Sequence, residues 1–304
     1  DAGHIFSKKD YTQQLQRIVA SHKLPTYSEK ELSGPEIYAR AAKATLTLLV
    51  ADEKSLRKHF IDPEDEEEEE EEEPDETSPL RRTSPIKKPQ PKKGEGISFG
   101  TAFIISEDGI GVTNYHVLEH VAPCIVVGVD SYGKAHRVVE ILAADKDTDI
   151  AVFRLAPGSY PYLPIRKDLP AGSPIYVFSH PGKNTNTFCA GVITRYAVLT
   201  SAKARKERKI TWMSIDAVFA PGSSGGAILD TRGNAVGVVS FGVVIRREAQ
   251  GMAFTSRYCV PAGMILRLII PPDELQTPSD QFSLGTMIGM NQDGKTPQEV
   301  RQNS

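Results

Sequence analysis

Cysteine is scarce in this chain of 304 residues: Cys124, Cys189 and Cys259 are all there are. An odd number at wide spacing excludes a dense disulfide framework, and no paired-cysteine spacing suits a zinc site. Room is left for one bridge, with nothing to name its partners. Long apolar runs are also missing, and no stretch approaches the length of a membrane span. Nor does one charge dominate, since 36 Lys and Arg face 39 Asp and Glu, for a net charge of −3. That balance argues against nucleic acid or a membrane surface as a general partner. No internal repeat is visible. What remains is the composition of a folded chain, 39% hydrophobic and 25% charged, which excludes disorder throughout. The sequence begins at Asp1. If a signal peptide has been removed before it, the chain is secreted or periplasmic.

The acid is unevenly placed. Glu66 to Glu73 are consecutive glutamates, and the following stretch sets Pro79, Pro85, Pro89 and Pro91 among Arg81, Arg82, Lys87, Lys88, Lys92 and Lys93. Such a segment buries too little apolar area to offset ordering, and residues 51–96 are expected to be disordered. A solvated spacer is the simplest assignment. A docking tail for a basic partner, or a Ser-Pro phosphorylation segment at Ser78 or Ser84, is the alternative. Residues 1–43 read as helical: Tyr11, Leu15, Ile18 and Val19 make one apolar stripe, and Pro35 suits the first turn of a second helix. This N-terminal helical segment either docks on a core or makes a homo-oligomer contact.

Beyond it the texture is that of short strands. Residues 44–50 form one candidate, and 97–105 and 110–113 flank Glu107-Asp108-Gly109, a hairpin signal. Further candidates are 124–129, 136–142, 150–155, 175–178, 188–199, 210–215, 226–229 and 235–244. With no long helix between them, they predict an all-β sandwich or barrel. Val260–Ile270 is apolar at helical spacing and predicts a terminal helix, and 271–304 reads as a polar tail.

Three local patterns carry chemistry. Gly222-Ser223-Ser224-Gly225-Gly226 is a glycine-rich turn that can expose a hydroxyl beside backbone N–H groups aimed at an oxyanion. The Gly-x-Ser-Gly-Gly register selects Ser224 over Ser223, with the N–H groups of Gly222 and Ser224 as donors. A serine hydroxyl needs a base. His116, in a polar turn after the Ile110–Thr113 strand, suits that role better than His120, His136 or His180. The base in turn needs a carboxylate to fix its tautomer. Asp149 directly precedes an apolar strand, whereas Asp145 and Asp147 read as turn residues. Any one of these alone has a bland explanation. Together they follow the order His, Asp, Ser, at intervals of 33 and 75 residues.

On these residues the chain resembles the trypsin-like peptidases, and within them the HtrA/Deg branch. The carriers are Gly100 to Gly109, Val112-Thr-Asn-Tyr-His-Val117, Asp149-Ile-Ala-Val152, Asp216 to Gly226, Gly237 to Gly242 and Met252-Ala-Phe254. The resemblance implies a mainly β, chymotrypsin-like fold of two six-stranded antiparallel barrels. An N-terminal helical segment (1–43), a protease domain (44–270) and a polar tail would then follow one another. It places 51–96 as an insertion between the first two strands. It implies a serine endopeptidase with His116, Asp149 and Ser224 as triad, Gly222 and Ser224 as oxyanion hole, and no metal or cofactor. Val218, Ser240, Phe241 and Gly242 would bind substrate, and the uncharged Val218 would favour cleavage after small or medium aliphatic residues. Partners would be proteins or peptides. Two departures stand out. About thirty residues remain after the terminal helix, too few for the PDZ domain common in that branch, and Ala227 replaces its usual proline. A catalytically inactive binding module and a self-processing polyprotein-type protease are the competing readings.

Overall fold

The computed structural model describes residues 5–17, 22–52, 55, 97–119, 123–167, 169–182, 184–201, 208–247 and 252–269. The Glu66–Glu73 run and nearly all of the 51–96 insertion, the tail at 271–304, His120, Ile18 and Val19 lie outside the described residues.

Twelve strands follow one another in the described chain: β1 (Thr45–Ala51), β2 (Ile97–Ile104), β3 (Ile110–Thr113), β4 (Ile125–Val129), β5 (Ala135–Asp145), β6 (Ile150–Leu155), β7 (Pro174–Ser179), β8 (Thr187–Ser201), β9 (Arg208–Ile215), β10 (Ala227–Leu229), β11 (Ala235–Arg247) and β12 (Met252–Pro261). They close into two antiparallel barrels, in the orders β1-β2-β3-β6-β5-β4 and β10-β11-β12-β9-β8-β7. Closure removes the exposed edges that open sheets must otherwise protect. The fold class read from the sequence thus stands. Strand β12 carries no strong alternation and was not expected. It runs to Pro261, so the terminal helix starts two residues later than its apolar spacing suggests.

Strand periodicity explains how the barrels meet. In β6, Ala151, Phe153 and Leu155 point into the first barrel, while Ile150 and Val152 join a separate core between the barrels. β3 is buried throughout for the same reason. Phe178 and Val238 reach that seam from the second barrel. Two helices cover it, α2 (Gly34–Ala44) through Ile37 and Ala41, and α4 (Ala262–Ile269) through Ile265 and Leu268. α2 opens with Pro35 in its first turn, and Glu36 accepts from the Ser33 N–H at 2.8 Å and from its hydroxyl at 2.7 Å, a reciprocal cap.

The N-terminal segment lies along both barrels of its own chain. Phe6 bridges Cys124, and α1 (Lys8–Gln14) buries Tyr11. Gln14 accepts from the Ile141 N–H at 2.7 Å, and the Arg17 carbonyl accepts from Ala144 at 2.7 Å. Further on, Ser28 exchanges hydrogen bonds with the Asn234 amide at 2.7 and 2.8 Å, and Leu32 donates to the Thr231 carbonyl at 3.0 Å. Among the described residues all three cysteines are free, and no helix is long and apolar enough to cross a membrane.

Phe153 shows how tightly the first barrel is filled. It is fully buried, and a methyl group placed on Gly111 would come within 2.3 Å of its ring. Phe153→Ala should therefore lower the unfolding free energy by roughly 3–5 kcal/mol in urea titrations. A loss below about 1 kcal/mol would mean that the ring does not fill this core.

Candidate active site

The site lies at the mouth of the seam, and Asp149 immediately precedes β6. Asp149 has φ of +56°, in the left-handed region that aspartate tolerates better than most residues. Its carbonyl is held by the Asn114 amide at 2.8 Å. In that pose the carboxylate faces α3 (Tyr115–Leu118), a single helical turn that carries His116. The His116 backbone N–H donates to Oδ1 at 3.0 Å, and ring Nδ1 lies 2.9 Å from Oδ1 and 2.8 Å from Oδ2. Ser240 Oγ donates to Oδ2 at 2.6 Å. The carboxylate is largely covered, at 16% exposure, while the imidazole is 46% exposed. With the Nδ1 proton donated to Asp149, Nε2 keeps its lone pair and can act as a base.

The serine turn comes from the second barrel. Gly222 and Gly225 have φ of +94° and +86°, conformations costly for any residue with a Cβ. A Cβ on Gly225 would also fall 1.9 Å from the Thr101 carbonyl. Thr101, on β2 of the first barrel, pins the turn twice: its N–H donates to the Ser224 carbonyl at 2.7 Å, and its Oγ1 to the Gly222 carbonyl at 2.9 Å. The His180 N–H donates to the same Oγ1 at 3.0 Å. Ser223 turns inward and is fully buried, accepting from Ser179 Oγ at 3.1 Å and from the Ala220 N–H at 3.3 Å. Ser224 is only partly covered, and its Oγ donates to the Ser240 carbonyl at 3.2 Å. No acceptor meets the N–H of Gly222 or Ser224 among the described residues.

The residues expected to bind substrate fall on the same side. Val218 is 61% exposed on the loop leading to the serine turn. That loop is fixed where Asp216 accepts from the Val192 N–H at 2.7 Å. Phe241 stacks on Tyr258 and meets Trp212 edge-on, and Gly242 is exposed. β10 pairs β11 only as far as Val238. Beyond that point this edge of β11 has no strand beside it among the described residues. Ser240 sits at a bulge between Val239 and Phe241. Its hydroxyl reaches Asp149 at 2.6 Å, so Ser240 is also tied to the carboxylate.

The competing histidines have other work. His136 pairs with Asp130 at 2.8 Å, and His180 is buried behind the serine turn. Thr101, Asn114 and the acid-binding role of Ser240 carry no local sequence signal, because each acts across the chain on a residue far away in the sequence. Among the described residues no group of three or more His, Cys, Asp or Glu could hold a metal ion.

Comparison with known proteins finds similar chains. Residues 100–238 match the family model of the trypsin-like peptidase domain. The chain is 30% identical over 158 residues to a Chlamydia muridarum protein named "Probable periplasmic serine endoprotease DegP-like", covering 50% of this chain and 30% of that protein. It is 27% identical over 218 residues to the mitochondrial serine protease HTRA2 of Drosophila willistoni, covering 64% of this chain and 50% of the relative. Among solved structures, a substituted form of the HtrA-type protease AlgW with a decapeptide superposes with a TM-score of 0.50 at 19% identity, over 77% of this chain and 65% of that one. The chain thus spans half or less of the length of the two curated relatives named here.

His180 gives the site a pH signature. Its ring is 3% exposed, Nδ1 accepts from the Asn186 N–H at 3.0 Å, and Nε2 has no partner among the described residues. Burial pushes its pKa down to about 4. Because the folded value lies below the ordinary 6.5, the neutral ring's contribution to stability is complete above pH 6.5 and is lost as pH falls through about 4. The loss in urea unfolding free energy between pH 7 and pH 4 should shrink in His180→Gln by as much as roughly 3 kcal/mol. An equal acid loss in both proteins would rule out His180 as its source.

Proposed function

We propose that this chain, whose residues 100–238 match the family model of the trypsin-like peptidase domain, is a serine endopeptidase that works through an acyl-enzyme on Ser224. The observation that carries the reading is the His116–Asp149 pair at 2.8 Å, set beside a serine turn with two unengaged N–H groups. Ser224 Oγ leaves the Ser240 carbonyl, turns to His116 Nε2, and attacks the scissile carbonyl as the imidazole takes its proton. Asp149, held by Ser240 and the His116 N–H, stabilises the imidazolium. The N–H groups of Gly222 and Ser224 receive the oxyanion, each donor being worth ~3 kcal/mol to the transition state. The proton then passes to the leaving amine, and water repeats the sequence to release the acid. No metal or organic cofactor enters these steps.

Substrate binds as an added strand along the open edge of β11 near Phe241 and Gly242. Only extended backbone can pair in this way, so unfolded or locally unfolded protein is the favoured substrate. Val218 supplies no charge to a basic side chain, which supports cleavage after small or medium aliphatic residues. Such residues are mostly buried in folded proteins and exposed by unfolding. A role in protein quality control or processing follows from that preference. The binding-module reading draws on one observation, the hydrogen bond of Ser224 to the Ser240 carbonyl in place of His116. Catalytic hydrogen bonds often form only in the substrate complex.

Fluorophosphonate labelling decides between them. The wild type should label at Ser224, and Ser224→Ala should not label at all. In peptide hydrolysis, Ser224→Ala or His116→Ala should lower kcat by a factor on the order of 10⁶. Absence of labelling in the wild type would establish the binding module instead. In a peptide library, cleavage after Val, Ala or Leu should exceed cleavage after Arg or Lys. The reverse order would refute the aliphatic preference.

A further inference from the structure

The helix that carries His116 is too short to hold itself. α3 has four residues, and at its end the Glu119 N–H donates to the His116 carbonyl at a long 3.4 Å. One turn fixes many torsions for few hydrogen bonds, and its last carbonyls have no partner within the helix. Its position must therefore come from outside. On one side, Asp149 accepts from the His116 N–H, and Val117 packs against Gly100. On the other side the partner is the N-terminal segment. Tyr11 of α1, 1% exposed, donates its hydroxyl to the Leu118 carbonyl at 2.5 Å. That hydroxyl also interacts with the Cys124 thiol, and burial raises the pKa of both groups.

The same segment grips the far end of the loop that follows α3. Phe6 and Cys124 exchange two backbone hydrogen bonds, at 2.9 and 3.3 Å. The Phe6 ring meets Tyr11 edge-on at 5.3 Å, which fixes the direction of the Tyr11 hydroxyl. Phe6, Tyr11, Val117, Leu118 and Cys124 share one buried cluster. Leu118 and Cys124 are thus both held by residues from the 5–15 segment.

We propose that residues 5–15 are a positioning clip for the histidine helix, with Tyr11 as the positioning residue that sets His116 against Ser224. The clip touches neither substrate nor reacting atoms. It acts by restricting where His116 Nε2 can lie, and this catalytic consequence rests on the serine endopeptidase reading. The clip is made in cis, so a chain in which residues 5–15 lift away keeps both barrels and loses the alignment of its base.

Tyr11→Phe tests this, since it removes the hydroxyl and keeps the ring. Hydrogen exchange followed by mass spectrometry should show at least ~10-fold faster exchange in peptides covering residues 115–119, with 150–155 unchanged. In turnover, kcat should fall roughly 10- to 100-fold with KM unchanged, as displacement of a catalytic group by about 1 Å can do. Phe6→Leu, which loosens the buttress and keeps the backbone pair with Cys124, should give a weaker form of the same pattern. A purely structural role would lower the melting temperature and leave kcat intact well below it, and that result overturns the proposal. So does unchanged exchange at 115–119. If the wild type fails to label with fluorophosphonate, the endopeptidase reading falls, and the exchange measurement alone decides whether the clip exists.

Discussion

One threonine makes a single site out of two barrels. His116 and Asp149 belong to the first barrel and the serine turn to the second, so their alignment depends on contacts across the seam. Thr101 supplies them with its N–H to the Ser224 carbonyl and its hydroxyl to the Gly222 carbonyl, while the His180 N–H donates to that hydroxyl. Thr113 Oγ1 in turn donates to the Thr101 carbonyl at 2.8 Å, so the residue doing the pinning is itself pinned. The glycine at 225 is then obligatory, because the Thr101 carbonyl occupies the space a Cβ would need. A small shift of one barrel against the other would be felt at once in the serine turn, since close-packed interiors transmit displacement rather than absorb it.

Around Asp149 the arrangement is one of over-determination. A left-handed backbone at a non-glycine residue persists only when its surroundings hold it there. Here the carbonyl is bonded to Asn114 and the carboxylate to His116 and Ser240. Ser240 occupies a special place in this set, because its hydroxyl serves the acid while its carbonyl receives the resting Ser224 hydroxyl. The β-bulge that lifts Ser240 out of register with β12 makes this double use geometrically available.

The strands were legible because each barrel strand must alternate between a filled interior and a second environment. Ile150 to Leu155 show this plainly, with odd and even positions serving different cores. β12 was missed because its central residues include Thr255, Ser256 and Arg257, which suit a strand only once β9 and β11 lie beside it. The preference for Ser224 over Ser223 rested on glycine spacing, and the burial of Ser223 fits it. The preference for Asp149 over Asp145 and Asp147 rested on the apolar strand that follows. Thr101, Asn114 and Tyr11 could not be found in this way. Each works through a single hydrogen bond to a distant segment, and no local pattern in residue type encodes such a bond. The stripe containing Tyr11 and Leu15 was visible, but the hydroxyl at the end of one of its side chains was not.

The N-terminal segment also bears on the order in which the molecule can be completed. Tyr11 finds its partner 107 residues further along, and Ser28 finds Asn234 after 206. Contacts of such long range close late, because their loop entropy must be met before they stabilise anything. A chain leaving the ribosome therefore cannot seat Tyr11 until much of the first barrel has emerged, nor Ser28 until the second has. In a newly made molecule the barrels would come before the alignment of the histidine. During synthesis the chain would thus pass through a stage in which both barrels are largely formed and the turn that carries His116 is not yet fixed.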